Sequence, residues 1–359
     1  MNGTTPQDTK PEDSDGVSDA ERSLLRRSVR DFLSNVWPAE SAVESSGSPE
    51  AIAKLWLALA RQGLASLGSN PAEGGLREIV LVFEELGRAS CPAPLLGAVA
   101  ANLAFATQQS NAMRALLEDV HRGSAMIALA LGAFDGDLAA GRVAVHGDTL
   151  RGTMSFVEGA QAATHFLIVT DAPAGVAGVA SGGAGMTMKA TPGLAVPTFS
   201  ELTFEDTPAT LQTVPSEALV DIALVARLAC AGRALGAAQR AFDLAVDHAK
   251  VRKQFGQFVG QFQAVQHKLA NCLISLDGAR LALDTAAEER DSEGAYMDFV
   301  RRAATDPIAR QVKIADLEDN MNLLRIAELT DRDLARLKRY HAAWRLLTDG
   351  AAAQQENRP

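Results

Sequence analysis

The chain has 359 residues, 47% of them hydrophobic and 22% charged, enough for two or three domains with sizeable cores. A formal net charge of −10 argues against nucleic acid as the main partner, because a phosphate backbone selects basic surfaces. Cys91, Cys230 and Cys272 are scattered, show no metal-ligand spacing, and suit a reduced, cytoplasmic protein. No apolar run follows a basic N-terminus, and none approaches the roughly 18 residues of a membrane span, so neither signal peptide nor membrane is expected.

Residues 1–17 are polar and are expected to form a disordered tail. Residues 18–123 read as an N-terminal α-domain. Ser18-Asp-Ala-Glu21 is a capping-box pattern. Leu25, Val29, Phe32, Leu33 and Val36 follow on one helical face. Ser41 to Pro49 reads as a loop, and Ala51 to Gln62 as a helix carrying Leu55, Leu57 and Leu59. A turn-rich link, Leu64 to Leu76, precedes a helix over Arg77 to Gly87, which Ser90-Cys-Pro-Ala-Pro94 breaks. Pro94 to Leu117 continues as one or two Ala-rich helices.

From Ser124 the pattern changes, and 124–215 reads as a central β-domain. Strands are expected at Ile127 to Leu131, Val143 to His146, Thr149 to Met154, His165 to Thr170 and Gly175 to Val179. Leu194 to Val196 and Glu201 to Phe204 continue them. Residues 216–290 read as a C-terminal α-domain of two long helices. The first covers Ala218 to Lys250, with Gly232 and Gly236 permitting close helix approach. The second covers Phe258 to about Glu289, with Phe262, Val265, Leu269, Cys272 and Leu276 on one stripe.

Between these helices lies Val251 to Ala270, VRKQFGQFVGQFQAVQHKLA. Arg252 offers a fork of donors suited to a diphosphate. Phe255 gives an apolar face, Gly256 lets the backbone turn, and Gln263 and Gln266 supply amide donors and acceptors. The stretch resembles the Arg-x-Gln-Phe-Gly…Phe-Gln-x-x-Gln-x-x-Leu-Ala signature of the acyl-CoA dehydrogenase family. NPAEGGLREIVLVFEELGRASCPAPLLG, Asn70 to Gly97, resembles the family's N-terminal α-domain. Gly152 to Ala160, the following HFLIVTDA, and Leu202 to Asp206 resemble its β-domain. The resemblance covers roughly Ser18 to Glu289.

It implies an α+β fold: an N-terminal α-helical domain, a small central β-barrel or sandwich, and a C-terminal α-helical bundle. It implies FAD as cofactor and an acyl-CoA as substrate, as in fatty-acid or steroid side-chain degradation. The subunits are homo- or hetero-oligomeric, with FAD at an interface. Arg252, Gln254, Phe255 and Gln263 are then the residues that reach the diphosphate and adenosine of a neighbour's FAD.

Three features depart from the family pattern. The family's base, a Glu in a Tyr-Glu-Gly-Thr-like turn near the C-terminus, is not found. Ser292-Glu293-Gly294-Ala295 comes too early and reads as a helix-ending turn. Some members place the Glu on the first long helix, at the position held here by Ala226. The flavin-facing Thr-Glu-x-x-x-Gly-Ser-Asp motif is replaced by Leu129 to Asp137, where Asp135 and Asp137 read as solvated turn residues. The chain therefore resembles the base-deficient subunits of actinobacterial heteromeric members, which pair two unlike subunits; the alternative is a non-catalytic interaction subunit that completes or stabilises a neighbour's FAD site.

Residues 291–350 read as an atypical helical tail and 351–359 as a frayed end. The tail resembles the end of HD-type phosphohydrolases, in which Asp316 would be a metal ligand with Asn320 on the same face. No His-Asp dipeptide occurs in the chain, so no metal is expected. Thr330 with Asp333 is expected to cap a last helix whose stripe is Leu334, Leu337, His341 and Trp344.

Overall fold

The computed structural model describes residues 17–70, 74–105, 111–132, 141–171, 174–193, 198–214, 216–305, 307–321, 337–338 and 340–348. The chain divides into two compact units, Met1–Asp284 and Thr285–Pro359.

The first unit opens with helix α1 (Asp19–Val36). Its capping box forms as the sequence predicts: the Ser18 hydroxyl accepts from the Glu21 amide, and Glu21 accepts from the Ser18 amide. A short helix, α2 (Ala42–Ser46), occupies part of the expected loop. In α3 (Pro49–Arg61) the buried side chains are Ile52, Leu55, Trp56, Leu59 and Ala60. Leu57 lies on the outer face, and Trp56 takes the inward position, donating from Nε1 to the Ala125 carbonyl at 2.8 Å. Three further helices follow: α4 (Leu76–Arg88), α5 (Leu95–Phe105) and α6 (Asn111–Arg122).

Among the described residues the next segment forms eight strands: β1 (Ile127–Ala130), β2 (Gly141–His146), β3 (Thr149–Glu158), β4 (His165–Asp171), β5 (Ala174–Ala180), β6 (Met186–Thr191), β7 (Phe199–Pro208) and β8 (Thr210–Thr213). They form two four-stranded sheets, β1-β4-β5-β8 and β2-β3-β7-β6. Of the barrel and the sandwich, the described residues form the sandwich. Both inner faces contribute to one core, including Leu150, Met154, Leu202 and Phe204 from one sheet and Phe166, Ile168 and Val179 from the other. β6 and β8 were not expected from the sequence. β6 is an edge strand exposed along most of its length, although Met186, Met188 and Ala190 alternate with Thr187, Lys189 and Thr191. The expected strand at Leu194 to Val196 lies outside the described residues.

Helix α7 (Ser216–Val251) packs closely on α4. A Cβ added at Gly236 would land on the Glu84 carbonyl oxygen, and one at Gly87 on that of Arg233. Glycine is required at both because two backbones, not two side chains, meet there. Charged side chains stitch the same region. Arg26 on α1 reaches Glu84 at 2.7 Å, as does Arg280 on α8 (Gln263–Thr305). Arg22 pairs with Glu78 and Arg30 with Glu85, each at 2.7 Å. Burial pushes the Glu84 carboxyl up, but the hydrogen bonds and charges of Arg26 and Arg280 outweigh it and hold the group below the ordinary range.

The second unit contains the end of α8, helix α9 (Pro307–Asn320) and helical residues 340–348. Leu317, Ala343 and Leu347 form its small core, flanked by Ile314, Met321, Tyr340 and Trp344. Trp344 Nε1 donates to Glu318 at 3.0 Å. His341, placed on the apolar stripe by the sequence, is exposed and stacks on Trp344 with centroids 6.3 Å apart. Burial falls on Ala343 instead, because the packed face is offset from the expected stripe. Thr330, Asp333 and Leu334 lie outside the described residues.

Candidate functional site: the arm between α7 and α8

α7 runs without a break until Val251, since no proline interrupts Ser216–Val251. The chain then forms a two-stranded hairpin, β9 (Lys253–Gln254) and β10 (Gln257–Phe258). Phe255 and Gly256 make its turn, with φ of 52° and 83°. Positive φ at both central residues matches the natural twist of a two-residue hairpin. Glycine adopts it freely, but a phenylalanine there costs about 1–2 kcal/mol. The surroundings hold it in place. The Phe255 ring meets Phe262 edge-on with centroids 6.3 Å apart. The Val259 amide donates to the Arg252 carbonyl at 2.8 Å, and the Arg252 amide to that of His248 at 2.9 Å. The Gln266 side chain donates from Nε2 to the Gly260 carbonyl at 3.0 Å, which fixes the root of α8.

The hydrogen-bonded backbone here presents free side chains. Phe255 is 92% exposed and Val251 72%. Arg252, Gln254 and Gln263 are exposed, and among the described residues their side chains have no hydrogen-bond or ion-pair partner. The sequence explains part of this: no carboxylate occurs between Asp247 and Asp277, while Lys250, Arg252, Lys253 and Lys268 do. In a chain of net charge −10 this stretch is a local cationic island. Gln263 opens α8, whose first amides add positive potential. A guanidinium fork, two amides and an exposed ring fit the diphosphate and flat ring of a dinucleotide. All four expected site residues thus lie on one exposed arm, with Gln263 at the start of the helix that follows.

The other expected positions lie elsewhere. Ala226 is 3% exposed on α7, so no titratable group occupies that position. Ser292 to Ala295 is not a helix-ending turn: α8 continues through it to Thr305. One glycine costs only about 1 kcal/mol in a helix, too little to stop it, and the next proline is Pro307. Asp135 and Asp137 lie outside the described residues. Asp316 lies on α9, and among the described residues no cluster of His, Cys, Asp or Glu could hold a metal ion.

The sequence reading missed one buried ion pair. Arg233, mid-way along α7, donates from Nη1 to Glu158 at the end of β3, and its guanidinium lies 5.2 Å from the Phe83 ring centroid. Nε and Nη2 of Arg233 are buried without a partner among the described residues. Burial pushes the nearby Cys91 thiol up to about 12, so it is inert. An arginine on the packed face of an Ala-rich helix signals that a carboxylate must be near, but not which one.

Residues 220–305 match the family model described as acyl-CoA dehydrogenase, C-terminal domain, which includes the whole arm. Acyl-CoA dehydrogenase IpdE2 of Mycobacterium tuberculosis is 30% identical over 272 residues, covering 74% of this chain and 75% of that protein. Among solved structures, the Tcur3481-Tcur3483 steroid ACAD G363A variant superposes with a TM-score of 0.66 at 25% identity, covering 94% of this chain and 99% of that one. The ChsE4-ChsE5 complex from Mycobacterium tuberculosis shares the fold, with a TM-score of 0.64 at 21% identity over 96% of this chain and 99% of that one.

Proposed function

Because this chain belongs to the acyl-CoA dehydrogenase family, we propose that it is a subunit of an FAD-dependent enzyme that desaturates an acyl-CoA thioester. In this reading the arm binds the FAD of an adjacent subunit through Arg252, Gln254, Phe255 and Gln263. The base comes from a partner subunit. When bound, FAD supplies the acceptor for the two electrons removed from the acyl chain. This chain supplies binding and orientation: Arg252 clamps the diphosphate, the two amides fix its direction, and the Phe255 ring excludes water beside it.

The observation that carries the reading is the arm itself, exposed, cationic and unpaired on a hairpin. Exposed donors with no partner in the chain are available to a ligand or partner outside it. The reliance on a partner is supported by the small, buried side chain of Ala226 and by the helical path of α8 through Glu293. The relatives named for pairs of chains, Tcur3481-Tcur3483 and ChsE4-ChsE5, support an assembly of unlike subunits. The first of these is named a steroid enzyme, which supports a bulky acyl group. No described helix is long and apolar enough to cross a membrane, which fits work in the cytoplasm.

The test is acyl-CoA-dependent dye reduction by the purified chain, alone and with a base-bearing subunit of the family. Turnover is expected only with the partner present. Full flavin occupancy and turnover by a homomer would overturn the partner-dependent part of the reading.

A further inference from the structure

The hairpin has two faces, and its register separates them. Gln257 pairs with Gln254, and Phe258 with Lys253. Directly opposed residues of an antiparallel pair project to the same side, and alternate residues along a strand share a face. Gln254 and Gln257 therefore belong to one face, and the Val259 amide bonded to the Arg252 carbonyl carries the pairing one rung further, placing Arg252 on that face. Lys253 and Phe258 belong to the other, where the Lys253 ammonium sits 4.7 Å from the Phe258 ring centroid.

We propose that Gln257 is a further dinucleotide-binding residue and that Lys253, although cationic and next to Arg252, is not. The inference rests on the reading that this arm grips an FAD. Charge alone would select Lys253, but the pleat turns it away from Arg252 and onto an aromatic ring. Gln257 is exposed, stands directly across from Gln254, and has no side-chain hydrogen-bond partner among the described residues. Its amide offers two donors and an acceptor, the chemistry that a diphosphate oxygen or a ribose hydroxyl takes. Two amides opposed across one hairpin rung, beside a guanidinium, widen the polar face along a dinucleotide more than a second cation on the reverse side would.

The experiment uses the full chain in its assembled, FAD-loaded oligomer. Flavin per protomer and FAD dissociation, read from flavin fluorescence, are measured for wild type, Gln257→Ala, Lys253→Ala and Arg252→Ala. Gln257→Ala is expected to weaken FAD binding roughly fivefold, the scale of one lost hydrogen-bonding group. Lys253→Ala is expected to change it less than about twofold, and Arg252→Ala to weaken it more than about tenfold. Unchanged affinity for Gln257→Ala, with a loss for Arg252→Ala, would remove Gln257 from the site and leave the arm reading standing. A loss for Lys253→Ala equal to that of Gln257→Ala would overturn the assignment of faces. Unchanged affinity for Arg252→Ala, or a wild-type assembly that takes up no FAD, would sink the arm reading and this inference with it. All three residues are exposed, and unchanged thermal unfolding of each variant after removal of FAD shows that the fold is intact.

Discussion

The seam between α4 and α7 and the arm between α7 and α8 are built from the same kinds of residue, put to opposite use. Both contain glycines, arginines and glutamine side chains. At the seam, Gly87 and Gly236 bring two backbones together, and Arg26 and Arg280 close on a buried Glu84. On the arm, Gly256 turns a hairpin outward, and Arg252 has no carboxylate within reach among the described residues. The lesson is that an arginine's role here is set by what faces it. Facing a buried carboxylate it is scaffold; facing solvent from a hairpin it is free to meet a ligand, the role proposed for Arg252.

If the difference is real, substitutions at the two regions separate cleanly into stability effects and ligand effects. The largest stability loss is expected from Arg233→Leu, which strands Glu158 without its partner. It should cost about 3–5 kcal/mol in urea unfolding, and the double variant with Glu158→Gln should recover part of it. A Gly236→Ala variant comes next. The added methyl meets the Glu84 carbonyl, α4 and α7 must part, and roughly 3 kcal/mol of stability should go, seen as a lower urea midpoint. A variant as stable as wild type would show that the seam has slack and would erase half the contrast.

Acid should act next, and through the scaffold only. Burial holds His121 and His165 below their ordinary 6.5, so they favour a neutral folded state. A lowered folded value means stability is present above the unfolded value and lost as pH falls through it. Stability should therefore begin to fall below about pH 6.5. It should fall again below 4.5 as Glu84, held low in the fold, takes up a proton. Thermal unfolding across pH 7 to 4 measures this, and a flat profile would count against the ion-pair account of the seam. The smallest effect on stability belongs to Arg252→Ala, within about 0.5 kcal/mol for the flavin-free protein, while flavin binding weakens more than about tenfold. A large drop in its melting temperature would make Arg252 scaffold after all.

Much of this was legible beforehand, and the reasons are local. The Ser18 cap, the unbroken run of α7 and the Arg252 to Gln263 pattern depend on neighbours in sequence, so the sequence carries them. The eight-strand sandwich was partly legible. Strands with an apolar inner face, such as β4, stood out, whereas the exposed edge strand β6 did not. Glu293 was misjudged because a single glycine looked like a stop, and a helix continues past one glycine when nothing else ends it.

By itself the sequence determined that this protein has a cationic, carboxylate-free arm between two long helices, because composition and spacing are properties of the chain alone. Only the tertiary structure decided which donors on that arm remain free and which share a face. Pairing across a hairpin turn and burial of a guanidinium against Glu158 are set by which segments meet in space, and no local pattern encodes that meeting.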